Sequence, residues 1–233
     1  MDCEELRELC SQYGVTCLMY MTHIDNIPSI LKEGLLSYNT VSTRSVSHTS
    51  IADPKIQRRR GRSSCIVDGN IKQLDIHDFV PMFIAKHTPM QYVITTSAPT
   101  KGRYAIVRNE DLIFFLIEPT KVLQAPGMLI ANGNAAANST RFFSTPSGLS
   151  EIDWDTIASP NEYPQCYDWE WKRCKSAEVL VPSCVRIEYF SGIAVYNDLA
   201  RSNLSDCIFN VLGQVEESRK LVDSIVIDRS YYM

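Results

Sequence analysis

The sequence predicts an α+β fold. Candidate strands outnumber candidate helices, and the two do not alternate as they would in a doubly wound parallel sheet. Neither an internal repeat nor a low-complexity tract runs through the 233 residues. The elements follow in order. Asp2 to Tyr13 reads as a helix, with Cys3, Leu6 and Cys10 on one face and Gly14 placed to end it. Thr16 to Met21 is a short apolar run suited to a buried strand. Asn26 is placed to cap the helix that follows from Ile27, Pro28 fits its first turn, and Gly34 stops it. The Ser- and Thr-rich stretch Ser37 to Ser50 reads as a loop. Asp53-Pro54 opens a short helix from Lys55 to Arg60, and Ser63 to Gln73 is polar and reads as mobile. Phe79 to Phe83 is a strand whose Pro81 demands an edge or a bulge. Leu112 to Ile117 is a clearer strand, and Gly127 to Ile130 a further one. Asn132 to Asn138 is loop-like, and Ser144 to Pro164 reads as turns around an Asp-Trp-Asp segment. Glu178 to Val181, Val185 to Tyr189 and Gly192 to Val195 are β-rich, and Leu221 to Ile227 is placed to close the sheet.

Composition narrows the class. Hydrophobic residues make up 45% and charged residues 21%, which excludes a disordered chain, a collagen-like fibre and a coiled coil. The length suits a single domain over 1–233. No apolar stretch approaches the ~20 residues that span a bilayer. The opening Met1-Asp2-Cys3-Glu4-Glu5 is acidic where a secretory signal is basic and then apolar, so a cytoplasmic protein is expected. The formal net charge of −4 argues against a whole-surface grip on nucleic acid, while leaving room for a local basic patch. The eight cysteines include no C-x-x-C pair, and they read as buried or incidental thiols. The four histidines lack ligand spacing, and there is no Walker A, G-x-G-x-x-G or H-E-x-x-H sequence, so no metal is expected.

Two features carry chemistry. Arg58-Arg59-Arg60-Gly61-Arg62 is either a solvated basic patch or an anion site, since guanidinium forks bind phosphate oxygens bidentately. Glu178 opens the apolar run Ala177-Glu178-Val179-Leu180-Val181. Pointing outward, it is an ordinary strand-edge charge. Pointing inward, it is a costly buried carboxylate that needs a partner, suited to general-base work or to stabilising a cationic transition state.

Five segments, in order, resemble the DarT family of DNA ADP-ribosyltransferase toxins. They are Thr22-His23-Ile24-Asp25-Asn26-Ile27 with Ile30-Leu31-Lys32-Glu33-Gly34-Leu35-Leu36; Ser50 to Arg60; His77-Asp78-Phe79-Val80-Pro81-Met82-Phe83 with Thr88-Pro89-Met90-Gln91-Tyr92; Asn132-Gly133-Asn134-Ala135 with Thr140-Arg141-Phe142-Phe143; and Ala177 to Val181. The resemblance implies an ADP-ribosyltransferase (PARP-like) fold, a split, mostly antiparallel sheet around an NAD⁺ cleft with flanking helices. It implies transfer of ADP-ribose from NAD⁺, a co-substrate, to a base in single-stranded DNA. A macrodomain antitoxin is the expected partner, with no membrane. The family's catalytic glutamate falls on Glu178 and its essential arginine on Arg60. The NAD⁺ pocket is expected to draw on Tyr20, Thr22 and Asn26, with Phe83, Met90 and Tyr92 towards nicotinamide. For the DNA strand the candidates are Arg58, Arg62 and Arg141 on phosphates, with Trp169, Trp171, Lys172 and Asn134 near the target nucleotide.

The chain departs from the family pattern in three places. Met19-Tyr20 stands where Tyr-His is usual, Phe79 replaces a tyrosine, and Val80-Pro81-Met82-Phe83 lacks the final phenol of Val-Pro-Phe-Tyr. The reaction class stands, with thymine the default base and guanine the second. RNA or protein acceptors, and a non-catalytic NAD⁺- or nucleic-acid-binding module, are the alternatives. A site carboxylate on this pattern is expected to be dispensable for folding.

Overall fold

The structure, a computed structural model, describes residues 1–96, 107–159 and 168–233. Helix α1 (Cys3–Gln12) is opened by a capping box between Asp2 and Glu5, and it buries Leu6 and Cys10. Strand β1 (Leu18–His23), helix α2 (Ile27–Glu33), the short β2 (Leu35–Leu36), α3 (Tyr38–Thr43) and α4 (Pro54–Arg59) follow. The hairpin β3 (Ser63–Val67) and β4 (Asn70–Leu74) leads to β5 (Phe79–Phe83), α5 (Pro89–Thr96), β6 (Leu112–Ile117) and α6 (Pro119–Leu123). Then come β7 (Leu129–Ala131), β8 (Arg141–Phe143), α7 (Trp154–Ala158), α8 (Trp169–Lys175) and β9 (Glu178–Pro182). The chain finishes with β10 (Cys184–Val185), β11 (Phe190–Val195), α9 (Asp198–Leu212), α10 (Glu216–Asp223) and β12 (Ile225–Ile227).

Ten strands form one sheet in the order β12-β11-β6-β1-β5-β9-β7-β8-β3-β4, while β2 and β10 pair separately. All ladders are antiparallel except β11 with β12 and β3 with β8. β1 pairs with β6 along its whole length, from Leu18↔Ile117 to His23↔Leu112. With β5 it pairs at Met19↔Phe83 alone. Beyond that point the two strands part, and β5 stays with β9 from Phe83↔Glu178 to Phe79↔Pro182. The sheet is therefore split between β1 and β5. Pro81 lies in the parted stretch, so its missing N–H costs no ladder bond to β1. The strand is interior in the sheet order yet borders a gap, which reconciles Pro81 with the expectation of an edge.

Alternation along β5 sorts its side chains between two environments. Val80 and Met82 join the main core with Leu6, Leu18, Ile27, Phe115, Val179 and Leu204. Phe79, Pro81 and Phe83 face the cleft that the split opens. Helix α9 closes the core from outside. Asn197 caps it, Gly213 ends it, and Ala200, Leu204 and Ile208 recur every four residues on its buried face.

Several elements differ from the sequence reading. Ser63 to Gln73 is an ordered hairpin rather than a mobile segment. Its turn is Asp68-Gly69, with φ of 49° and 79°, the two positive values a tight twisted hairpin turn needs. Ser37 caps α3 inside the expected loop. Val185 to Tyr189 is not a strand: Ser183 takes φ 64°, the chain leaves the sheet to pair with β2, and a 3₁₀ turn follows. Leu221 to Asp223 form the end of α10, so the closing strand begins at Ile225. Asn26 makes no cap bond to α2, because its Oδ1, the atom that would accept from the helix, accepts from Thr49 N–H instead. Helices α5, α6, α8, α9 and α10 stand where no element was expected, and residues 160–164 of the turn-rich stretch lie outside the described residues.

Gly34 is fixed twice over, by φ of 79° and by a close approach that would put an added Cβ 2.6 Å from the Val185 carbonyl oxygen. Gly34→Ala is expected to lose about 2–3 kcal/mol, read by urea unfolding.

Candidate active site

Glu178 is the first residue of β9, paired through its backbone with Phe83 on one side and Ala131 on the other. That register points its carboxylate inward, at 1% exposure. A bare carboxylate there would be prohibitive. Arg60 answers it from the end of α4, donating from Nη1 to Oε1 at 3.1 Å and from Nη2 to Oε2 at 2.8 Å. The Ala135 amide adds a third donor to Oε1 at 3.3 Å.

Local structure explains why this arginine, and not its neighbours, turns in. Asp53 caps α4 and Pro54 opens it. The helix ends at Arg59, and Arg60 is its C-cap, its N–H on the Ile56 and Gln57 carbonyls. The Arg60 carbonyl then accepts from Ile76 N–H at 3.0 Å, tying the helix end to the chain entering β5. Arg58 and Arg59 stay exposed on the last turn.

The pair lies in a cleft of about 440 Å³. Tyr20 and Thr22 of β1 line one side of the split, and Phe79, Pro81 and Phe83 of β5 the other. Asn26 and Met90 also face it. Asn26 donates to Thr22 Oγ1 at 3.0 Å and to the Thr49 carbonyl at 2.9 Å, and accepts from Thr49 N–H at 2.7 Å. It thereby pins the loop before α4 against β1. Burial pushes the Tyr20 phenol up, and the Arg60 charge offsets part of that shift, so Tyr20 stays a neutral hydrogen-bonding group. Tyr92, on α5, lies outside the cleft lining.

Of the residues singled out for nucleic acid, Asn134, Trp169 and Lys172 reach the cleft, and Trp169 is 54% exposed at its rim. Arg58, Arg62 and Arg141 are exposed outside it. Trp171 turns away, its Nε1 donating to Ser159 Oγ at 3.2 Å. Sequence reasoning missed the Ala135 amide, Arg173, Lys175 and the ring contact between Tyr38 and His77, which lines the same cleft with centroids 4.4 Å apart. The basic run Lys172-Arg173-Cys174-Lys175, three residues before Glu178, was the available signal. Among the described residues no group of three or more His, Cys, Asp or Glu could hold a metal, and no helix is long and apolar enough to cross a membrane.

The model of the family described as ssDNA thymidine ADP-ribosyltransferase, DarT, matches residues 19–233. The chain belongs to the DarT family. A DNA ADP-ribosyl transferase–DNA ADP-ribosyl glycohydrolase fusion protein of Thermosipho africanus is 30% identical over 193 residues, 83% of this chain but 46% of the fusion. The chain thus spans less than half the length of that relative. The Thermus sp. 2.9 DarT in complex with ADP-ribosylated ssDNA has the same fold, with a TM-score of 0.75 at 24% identity, over 94% of this chain and 97% of that one. The same DarT in complex with carba-NAD⁺ gives 0.72 at 22% identity, over 94% and 98%. The fold is that of the DarT ADP-ribosyltransferases.

Two predictions concern the site's stability. Because Glu178 and Arg60 are buried together, either one alone is an uncompensated charge worth ~3–5 kcal/mol. Glu178→Ala and Arg60→Ala are each expected to lose stability on that scale in urea, which corrects the expectation of nearly intact folding. Replacing both by methionine is expected to cost far less. Lys175 is 2% exposed, and its Nζ donates to the carbonyls of Thr156, Ile157 and Ser159. Burial pushes its pKa down to about 8, from 10.5 in the free side chain. Between those values the unfolded chain holds a proton that the folded protein has released, so this group makes stability rise with pH. The rise is expected to vanish in Lys175→Met, in unfolding measured from pH 7.5 to 10.5.

Proposed function

We propose that this protein transfers ADP-ribose from NAD⁺ to thymine in single-stranded DNA. The observation that carries the reading is the Arg60–Glu178 pair, a carboxylate held by a two-point guanidinium contact in the lining of a cleft of about 440 Å³. Breaking the nicotinamide–ribose bond releases nicotinamide with the bonding electron pair and leaves positive charge on the ribose. A fixed carboxylate stabilises that charge, as in glycoside hydrolysis. The thymine imide nitrogen then bonds to the ribose carbon, and its proton passes to Glu178. Arg60 spends both terminal nitrogens on Glu178, so its work is to orient the carboxylate. Tyr20, Thr22 and Asn26 form the wall for NAD⁺. Phe83, which pairs with Met19 where the split closes, and Met90 are assigned to the nicotinamide end, with Tyr92 two residues further along α5.

Trp169, Lys172 and Asn134 are assigned to the target nucleotide, with Trp169 offering an exposed ring for a base to stack on. Arg58, Arg62 and Arg141 are assigned to phosphates and Trp171 to support of α8. Thymine is preferred to guanine because the matching family is described by thymidine. We further read the chain as one domain over 1–233, a cytoplasmic toxin countered by a macrodomain partner. The Thermosipho relative, with a DNA ADP-ribosyl glycohydrolase fused to its transferase, supports that pairing.

The test is mass spectrometry of oligonucleotides of defined sequence after incubation with the protein and NAD⁺. Thymine-containing single strands are expected to gain one ADP-ribose, and strands without thymine none. Glu178→Gln is expected to give no product, and Arg60→Ala to lose far more activity than Arg59→Ala. Modification of guanine-only strands, of RNA or of protein instead would move the acceptor. NAD⁺ binding with no modified acceptor would return the reading to a binding module.

A further inference from the structure

We propose that Arg173 is a positioning residue for Glu178, acting through the loop between β7 and β8. This rests on Glu178 being the catalytic carboxylate. Arg173 is 8% exposed, and its guanidinium is engaged on every side. Nε and Nη2 grip the Glu170 carboxylate at 3.0 Å and 2.6 Å. Nη1 donates to the Asn132 carbonyl at 3.1 Å and to Asn132 Oδ1 at 3.2 Å. The Arg173 backbone carbonyl accepts from Asn134 N–H at 2.9 Å, so α8 holds the loop on both sides of Gly133.

Gly133 is the point of closest approach. An added Cβ would lie 2.3 Å from Arg173 Nη1 and 2.9 Å from the Arg173 carbonyl oxygen. Clamped there, the chain turns back: Ala137 N–H donates to the Asn134 carbonyl at 2.9 Å, and Thr140 Oγ1 to the same oxygen at 2.7 Å. Ala135 is thus the second residue of a tight turn. Its N–H has one target, Glu178 Oε1 at 3.3 Å.

The two carboxylate oxygens are therefore unlike. Oε1 receives Arg60 Nη1 and Ala135 N–H, whereas Oε2 receives Arg60 Nη2 alone among the described residues. The better-satisfied Oε1 is the anchor, and Oε2 keeps lone-pair capacity for a ribose hydroxyl or an acceptor proton. Arg173 decides this difference from five residues up the chain, lining the cleft on the α8 side while its guanidinium is spent on Glu170 and Asn132. A small misplacement of a reacting group is costly even when binding is unchanged.

Steady-state transfer to a thymine-containing oligonucleotide separates the possibilities. Arg173→Lys keeps the charge but cannot fork. Ala135→Pro removes the N–H at a turn position that suits proline, and the proline Cδ takes the place of the hydrogen that pointed at Glu178 Oε1, so this variant both deletes the donor and pushes on the carboxylate. Each is expected to lower kcat by at least about tenfold, with KM for NAD⁺ within about twofold of wild type. Glu170→Gln, altering a half-exposed carboxylate, is expected to give the same pattern more weakly and guards against misfolding of the Arg173 variant. Wild-type kcat in Ala135→Pro and Arg173→Lys, alongside an inactive Glu178→Gln, would overturn the proposal. A rise in KM for NAD⁺ at unchanged kcat would overturn it as well. Wild-type turnover in Glu178→Gln would instead sink the underlying assignment of Glu178.

Discussion

A guanidinium and a carboxylate meet at 2.8 Å where water scarcely reaches them, and most of the surrounding structure exists to make that tolerable. Burying two charges costs several kcal/mol each, and their attraction repays the cost only when geometry is good and the remaining hydrogen-bonding capacity is filled. The chain supplies both conditions from distant places. Helix α4 ends where Arg60 must turn inward, and Ile76 holds that end in place. The register of β9 between β5 and β7 aims Glu178, and a turn after β7 brings an amide to its second side. Such an arrangement is poor value as a stability device. It makes sense under the proposed function, as a carboxylate fixed in place ahead of a reaction that generates positive charge beside it.

The cleft around the pair follows from one topological choice. β1 gives its full length to β6 and one residue pair to β5, so the sheet opens into a wedge. Side chains of β5 that would have covered a continuous sheet line the wedge instead, while their alternates fill the core. Cleft-lining and core-packing positions are thus separated by the period of two along a single strand.

How much of this was legible in the sequence depends on sequence distance. Glu178 announced itself, because a carboxylate opening an apolar run poses a local question. Its partner lies 118 residues away, so composition alone left Arg58, Arg59 and Arg60 equivalent, and family resemblance was needed to choose. The capping position at the end of α4 supplies the physical reason. The Asp68-Gly69 hairpin carried its own turn signal but was masked by strands too polar to alternate. Helix α9 was missed although Asn197, Gly213 and the spacing of Ala200, Leu204 and Ile208 mark it, because its Ser, Asn and Asp residues dilute the apolar stripe. The Arg173 clamp could not be read at all: its meaning lies in a glycine that excludes a side chain, visible only once α8 and the loop lie together.

The lone contact between β1 and β5 also bears on how this family diverges. Apart from Phe83, which makes the one pair with Met19, residues on the walls of the wedge hold no ladder between those two strands, so exchanging them disturbs little beyond the cleft surface. Tyr20 and Phe79 stand on those walls, and the architecture is shared with the Thermus sp. 2.9 DarT at 24% identity. The walls can therefore change one residue at a time while the charged pair and its supports stay in place. A scaffold of this kind separates what is recognised from what is done, and lets the first drift without endangering the second.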